Sequence, residues 1–117
     1  MTRISLKFHF DNGERLGPGR VELLEHVREL GSIAAAGRAM GMSYRRAWTL
    51  VDSLNRTFRE PVIATQLGGR GGGAAVLTPF GEEVTRRYRA LQARTAAAVA
   101  EDLAVIEAAL NPEPDRE

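Results

Sequence analysis

Between Ser32 and Phe58 the chain is tightly restricted in how it can fold. Ser32 can cap a short helix made almost entirely of small residues, Ala34-Ala35-Ala36-Gly37, which closes at Met40-Gly41. Side chains this small let a neighbouring helix approach closely, and Gly41 permits the sharp turn needed to bring one there. Ser43 then caps a longer helix in which Ala47, Val51, Leu54 and Phe58 are spaced four, three and four, with Leu50 beside them. At about 100° per residue, Arg45, Thr49, Asp52 and Arg56 fall on the opposite side, with Arg46 and Ser53 at its margin. One face is core and the other is polar and basic. Trp48 lies at the edge of the core face and is expected to pack there.

The flanks supply the rest of a small domain. Ile4, Leu6, Phe8 and Phe10 alternate with polar residues, so the segment from Ile4 to Phe10 reads as a strand with His9 on its polar face. Asp11-Asn12-Gly13 is turn chemistry, and Gly17-Pro18-Gly19 opens a helix in which Leu23, Leu24, Val27 and Leu30 repeat up to Gly31. After Glu60-Pro61, which halts the longer helix, Val62 to Leu67 and Ala74 to Leu77 read as two short strands flanking the glycine run Gly68 to Gly73. Thr78-Pro79 starts a last helix, with Glu82 and Glu83 where the helix dipole favours negative charge. Its pattern continues to Leu110, where Asn111-Pro112 stops it.

A helix of residues 79–110 would be about 48 Å long at 1.5 Å per residue, more than a domain of this size covers. Leu91 and the seam of Val99, Leu103, Ile106 and Leu110 are therefore expected at an interface with a second copy of the chain; the alternative is a break near Thr95-Ala96-Ala97-Ala98 that folds the helix back on the domain. The domain is expected to span residues 1–112, with 113–117 a disordered acidic tail.

Composition removes whole classes of chemistry. Without cysteine there are no disulfides, thiolate zinc sites, iron–sulfur clusters or thiol nucleophile, and His9 and His26 are the only histidines, so neither a metal nor a cofactor is expected. The longest uncharged stretch, Gly71 to Gly81, is glycine-rich and far shorter than the roughly 18 apolar residues of a membrane span. The N-terminus lacks the apolar core of a secretory signal, and a cytoplasmic location is expected. The net charge of +1 conceals an uneven distribution: ten arginines against four acids from Arg38 to Arg94, and six acids against Arg116 from Glu101 to Glu117. A basic middle of this kind concentrates polyanions such as nucleic acid.

Three helices followed by a strand pair is the order of a winged helix, and the small-residue helix, Gly41 turn and Ser43-capped helix match a helix-turn-helix. The expected fold is thus mainly α with a small β component: a winged helix-turn-helix with an N-terminal strand, a two-stranded wing and a long C-terminal dimerisation helix. Gly31-Ser32-Ile33, Ala36, Gly41-Met42-Ser43-Tyr44-Arg45, Ala47-Trp48, Asn55, the glycine run around Arg70, and Leu77-Thr78 with Gly81 also carry a family likeness. Over roughly residues 15–95 they resemble the N-terminal DNA-binding domain of ModE-type molybdate-responsive transcription regulators. A looser similarity extends to the LysR-type winged helix. The resemblance implies a homodimer on a roughly palindromic operator, with the third helix in the major groove and the wing on the flanking backbone or minor groove. It also implies that the N-terminal strand and outer helices help form the dimer. Regulators of that family usually continue into oxyanion-binding domains, whereas this sequence stops at Glu117, so molybdate sensing is not carried over. A separate sensing partner or a small ligand stays open. At the wing base, Gln66-Leu67 departs from the polar or basic pair expected there.

From the residues themselves, Arg45 and Arg46 can each offer a planar fork to guanine O6 and N7. Thr49, one turn on, can meet a thymine methyl or a phosphate. Ser43, Tyr44 and Arg56 suit phosphate, and Arg70, with Gly71 and Gly72 allowing close backbone approach, is the expected wing contact. Either Arg45 or Arg46 could instead pair with Asp52. A nucleotide-binding loop would need a following helix and a Lys-Ser/Thr end, which the glycine run lacks, and Glu82 and Glu83 are accounted for by the helix terminus. No enzyme is expected. The alternative to DNA binding is a winged helix used as a protein-interaction or dimerisation module.

Overall fold

The computed structural model describes residues 2–66 and 74–114. A short antiparallel hairpin, β1 (Phe8–His9) and β2 (Arg15–Leu16), precedes three helices, α1 (Pro18–Leu30), α2 (Ile33–Ala39) and α3 (Tyr44–Thr57). A second antiparallel pair, β3 (Ile63–Gln66) and β4 (Ala74–Leu77), then leads into α4 (Pro79–Ala108). This is a mainly helical, winged-helix-like fold with a long C-terminal helix. Among the described residues no helix is long and apolar enough to cross a membrane.

Local chemistry sets most of the boundaries. The hydroxyls of Ser32, Ser43 and Thr78 each accept a hydrogen bond from the backbone N–H three residues on, at 3.1, 3.1 and 2.9 Å, closing the starts of α2, α3 and α4. Between α2 and α3 the chain reverses through Gly41, whose φ of 70° is open to glycine at little cost, and the Met42 N–H reaches back to the Gly37 carbonyl at 3.0 Å. Gly37 itself is where the two helices cross. A Cβ there would lie 2.9 Å from the Cβ of Ala47, so the crossing distance depends on glycine facing alanine.

The core lies between α1, α2, α3 and the second sheet, built from Leu23, Leu24 and Val27 of α1 with Val51 and Leu54 of α3 and Val62, Ile63 and Ala75. The N-terminal segment lies over it. Leu6, Phe8 and Phe10 are half-buried while Ser5, Lys7 and His9 are exposed, as the alternation predicts. Only Phe8 and His9 pair as a strand, because β2 has just two residues before Gly17 begins the helix, and a two-residue strand leaves no alternation to read. Asn12 secures the turn from both sides, accepting from the Glu14 N–H at 3.0 Å and donating to the Thr57 carbonyl at 2.9 Å.

Two helix ends differ from the sequence reading. α3 stops at Thr57, four residues before Pro61, because Phe58 leaves the helix and packs edge-on against Phe10 and Phe80 at 6.1 and 5.4 Å. α4 runs unbroken through Thr95-Ala96-Ala97-Ala98 and ends at Ala108 rather than Leu110. Its first half is anchored by Tyr88, which is buried, donates to the Leu6 carbonyl at 2.5 Å and meets Phe8 edge-on. Gly81, Thr85 and Tyr88 are its buried residues. The same face continues at three- and four-residue steps through Gln92, Thr95, Val99, Leu103 and Ile106, with Ile106 64% exposed and Leu110, just past the end of the helix, 65% exposed. Leu91, also exposed, falls about 80° around the helix from Val99 and so borders that face.

Ion pairs join α1 to α4. The Arg89 guanidinium donates to both carboxylate oxygens of Glu25, through Nε at 2.8 Å and through Nη2, and Arg28 meets Glu82 at 3.4 Å. The hydrogen bonds from Arg89 hold the Glu25 carboxyl below its ordinary value of 4.5, against a smaller opposing effect of burial. A depressed carboxylate adds stability above its unfolded pKa and loses it as pH falls through the folded one. Glu25→Gln should therefore lower stability near neutrality by up to about 1 kcal/mol, as fits a partly exposed pair, and the deficit should shrink as pH falls below 4.5 and through the depressed folded pKa. Thermal melts of both proteins from pH 3 to 7 check this. At the helix crossing, Gly37→Ala should cost about 1–3 kcal/mol in urea unfolding, since neither Cβ can move without shifting a backbone.

Candidate nucleic-acid interface

The outward side of α3 carries the residues singled out in the sequence. Tyr44, Arg45, Trp48, Thr49, Asp52 and Arg56 line a shallow open groove along it. Arg56 donates to Asp52 at 2.8 Å, so the acid on this ridge is taken by the arginine one turn ahead of it and not by Arg45 or Arg46. Thr49 uses its hydroxyl on the Arg45 carbonyl at 2.9 Å, and Ser43 uses its own as an acceptor for the cap.

Trp48 is not in the core. It is 39% exposed and meets the 61% exposed ring of Tyr44 edge-on at 6.2 Å. Ala47, Val51 and Leu54 already fill the buried side of α3, which leaves the indole beside the groove with the phenol one turn behind it. The spacing of Tyr44 and Trp48, four residues apart on one helix, is the signal from which this pair can be read.

Arg45 and Arg46 part company. Arg45 stands over the groove, whereas Arg46 lines a separate cleft against the first turn of α1, together with Lys7, Arg15 and Arg20. Arg70, Gly71 and Gly72, the residues assigned to the wing tip, lie outside the described residues, as does Leu67 at the end of the first predicted wing strand; so do Asp115, Arg116 and Glu117 of the acidic tail.

What the structure does show is how the second sheet is tied to α3. The Asn55 side chain accepts from the N–H groups of Val62 and Ile63 at 2.8 and 3.0 Å and donates to the Ile63 carbonyl at 3.1 Å. Thr78 completes the joint by donating from its hydroxyl to the Pro61 carbonyl at 2.7 Å. Asn55 therefore positions the strand pair rather than meeting a ligand, and the sequence carries no local sign of this because its partners lie beyond the end of the helix.

The basic middle is divided by how its charge is matched. Arg28, Arg86, Arg87 and Arg89, on α1 and α4, all have a carboxylate within reach. Among the described residues, Arg38, Arg45 and Arg46 around the α2–α3 unit have none within 4 Å, nor do Arg20 of α1, Arg59 beyond the end of α3, or Arg94 of α4. The exposed side of α3 thus carries positive charge that no acid of the domain matches, without being the sole place that does.

The chain is similar to ModE and Mop proteins. It is 42% identical over 102 residues to the molybdenum-pterin-binding protein MopB of Rhodobacter capsulatus, covering 87% of this chain and 36% of that protein. Against the molybdenum transport protein ModE of Azotobacter vinelandii it is 37% identical over 92 residues, 79% of this chain and 33% of the relative. The DNA-binding transcriptional dual regulator ModE of Escherichia coli (strain K12) is 35% identical over 71 residues, 61% of this chain and 27% of its own length. The chain thus spans about a third of the length of the ModE and Mop proteins it matches. No family model matches it.

Asn55→Ala should remove the side chain that serves three backbone groups of Val62 and Ile63 at the sheet base. Two N–H groups without an acceptor cost about 1–3 kcal/mol each where they stay dry, so a loss of at least about 1 kcal/mol in chemical unfolding is expected. Amide exchange at Val62 and Ile63 should accelerate more than exchange in α1.

Proposed function

We propose that the chain is a sequence-specific double-stranded DNA-binding transcriptional regulator, ModE-like, that acts on a palindromic operator as a homodimer. The carrying observation is the outward face of α3, where among the described residues Arg45 has no carboxylate within 4 Å and stands with Thr49 and the exposed Tyr44–Trp48 pair. A helix about 10–12 Å across fits a major groove about 12 Å wide. In that setting Arg45 offers its fork to a guanine edge and the aromatic pair offers apolar contact to thymine methyls. Ser43 and Arg56 hold phosphate, and Arg70 with Gly71 and Gly72 reaches the backbone or minor groove beside the site. The similarity to the Escherichia coli relative, a DNA-binding regulator, supports the same reading.

The second copy enters through α4. Val99, Leu103, Ile106 and Leu110 extend the face that buries Gly81, Thr85 and Tyr88 past the end of the domain, and the matching face of another α4 is the simplest cover for it. Such pairing is isologous and sets two reading helices for half-sites about one duplex turn apart. The function is one of binding, without catalysis.

Duplexes selected from a random pool by the protein should share an inverted repeat. Arg45→Ala should then lose about 1–3 kcal/mol on the selected duplex and much less on a scrambled one. Leu103→Glu combined with Ile106→Glu should sediment as a monomer and lose the preference for two half-sites. A pool without enrichment, or equal binding by Arg45→Ala, contradicts the proposal.

A further inference from the structure

On the flank of α3 away from Trp48, a cleft of about 470 Å³ opens between the first turn of α1 and the turn joining α2 to α3. Four cations line it, and they come from four separate segments: Lys7 just before β1, Arg15 on β2, Arg20 on α1 and Arg46 on α3. Among the described residues none of the four has a carboxylate within 4 Å. The nearest acid acts indirectly. Arg20 donates to the Ser53 hydroxyl at 3.0 Å, and that hydroxyl donates to Glu14 at 3.1 Å, which fixes the guanidinium without covering it.

Folding thus gathers like charges that the sequence keeps apart. Burial, followed by Arg15 and Arg46, pulls the Arg20 pKa below its ordinary value, and Glu14 only partly offsets them. The Lys7 stem lies against Gly17, where a Cβ would stand 3.3 Å from its Cγ, so the lysine is laid along the cleft. Gly17 starts α1 without a side-chain cap, and Pro18 follows it. The first free N–H groups of the helix are then those of Gly19 and Arg20, both at the same cleft.

We propose that this cleft is a phosphate site, and that the phosphate is one of the DNA backbone along the edge of the groove that α3 enters. Arg46 follows Arg45 by about 100° around α3, within the same first turn. A helix that turns Arg45 to the floor of the major groove turns Arg46 to its wall, where the backbone runs, because groove and helix have nearly the same width. Arg46 therefore positions the helix and Arg45 reads, although both stand at the start of α3. This inference rests on the DNA-binding reading above and adds a contact to it that depends on neither the glycine segment nor the dimer.

The test compares the intact chain with a Lys7→Gln, Arg15→Gln, Arg46→Gln triple variant, both folded by circular dichroism. Affinity for selected and scrambled duplexes is measured from 50 to 300 mM salt. Each phosphate that the variant no longer neutralises should flatten the slope of log K against log salt by about 0.9, which is roughly five-fold in affinity at 0.15 M. The ratio between selected and scrambled duplexes should stay within about two-fold, in contrast to Arg45→Ala. A parallel arm follows the melting temperature of both proteins, without DNA, in sodium sulfate and inorganic phosphate at constant ionic strength. An unchanged salt slope in the triple variant, with the intact chain still binding, overturns the inference and leaves DNA binding standing. An unchanged slope with sulfate stabilisation that only the intact chain shows assigns the cleft to a small oxyanion instead. A collapsed preference in Arg46→Gln alone makes Arg46 a base reader and also overturns it. Failure of the intact chain to bind any duplex removes both readings together.

Discussion

Everything that the outward face of α3 can do depends on how closely α2 lies beneath it. Gly37 and Ala47 meet at a distance that no larger pair could keep, and the Gly41 turn delivers α3 to that position within four residues of the end of α2. With Ala47, Val51 and Leu54 committed to this packing, Arg45, Trp48 and Thr49 have no core to enter and are left at the surface. Asn55 then carries the placement onward. By serving three backbone groups of Val62 and Ile63 it makes the strand pair a rigid extension of α3, so helix and sheet are set as one unit.

Charge is matched unevenly. Arg89 is paired with Glu25 and Arg28 with Glu82 across α1 and α4. Around α3, Arg56 is paired with Asp52, whereas among the described residues Arg38, Arg45, Arg46 and Arg20 have no carboxylate within 4 Å. Unmatched cations repel one another and add little to a fold, whereas a polyanion gives them a counterpart and makes binding depend on salt.

Much of this is legible in the sequence, and for local reasons. Ser32, Ser43 and Thr78 cap helices because a hydroxyl needs only the N–H three residues ahead, and Gly31 and Gly41 end or turn them because only the local backbone conformation is at stake. Periodicity likewise places Ala47, Val51 and Leu54 inside. What escapes is decided by distant partners. β2 is too short to show a pattern. Phe58 leaves its helix to join Phe10 and Phe80, and Trp48 pairs with Tyr44 because its neighbours fill the core. Spacing within α3 puts Arg45 and Arg46 together as readers. Only the fold shows that Arg46 belongs with Lys7, Arg15 and Arg20, none of which is close to it in sequence. The C-terminal helix is legible in kind, and the structure adds that it is continuous and that one face passes from buried to exposed along its length.

The central claim is that α3 meets DNA with its outward face. Amide chemical-shift changes, followed as a selected duplex is added to the labelled chain, report that contact residue by residue. The account predicts the largest changes from Ser43 to Thr49 and at the start of α1, with Ala93 to Ala108 of α4 nearly still. Changes confined to α4, or none at saturating duplex, would contradict it.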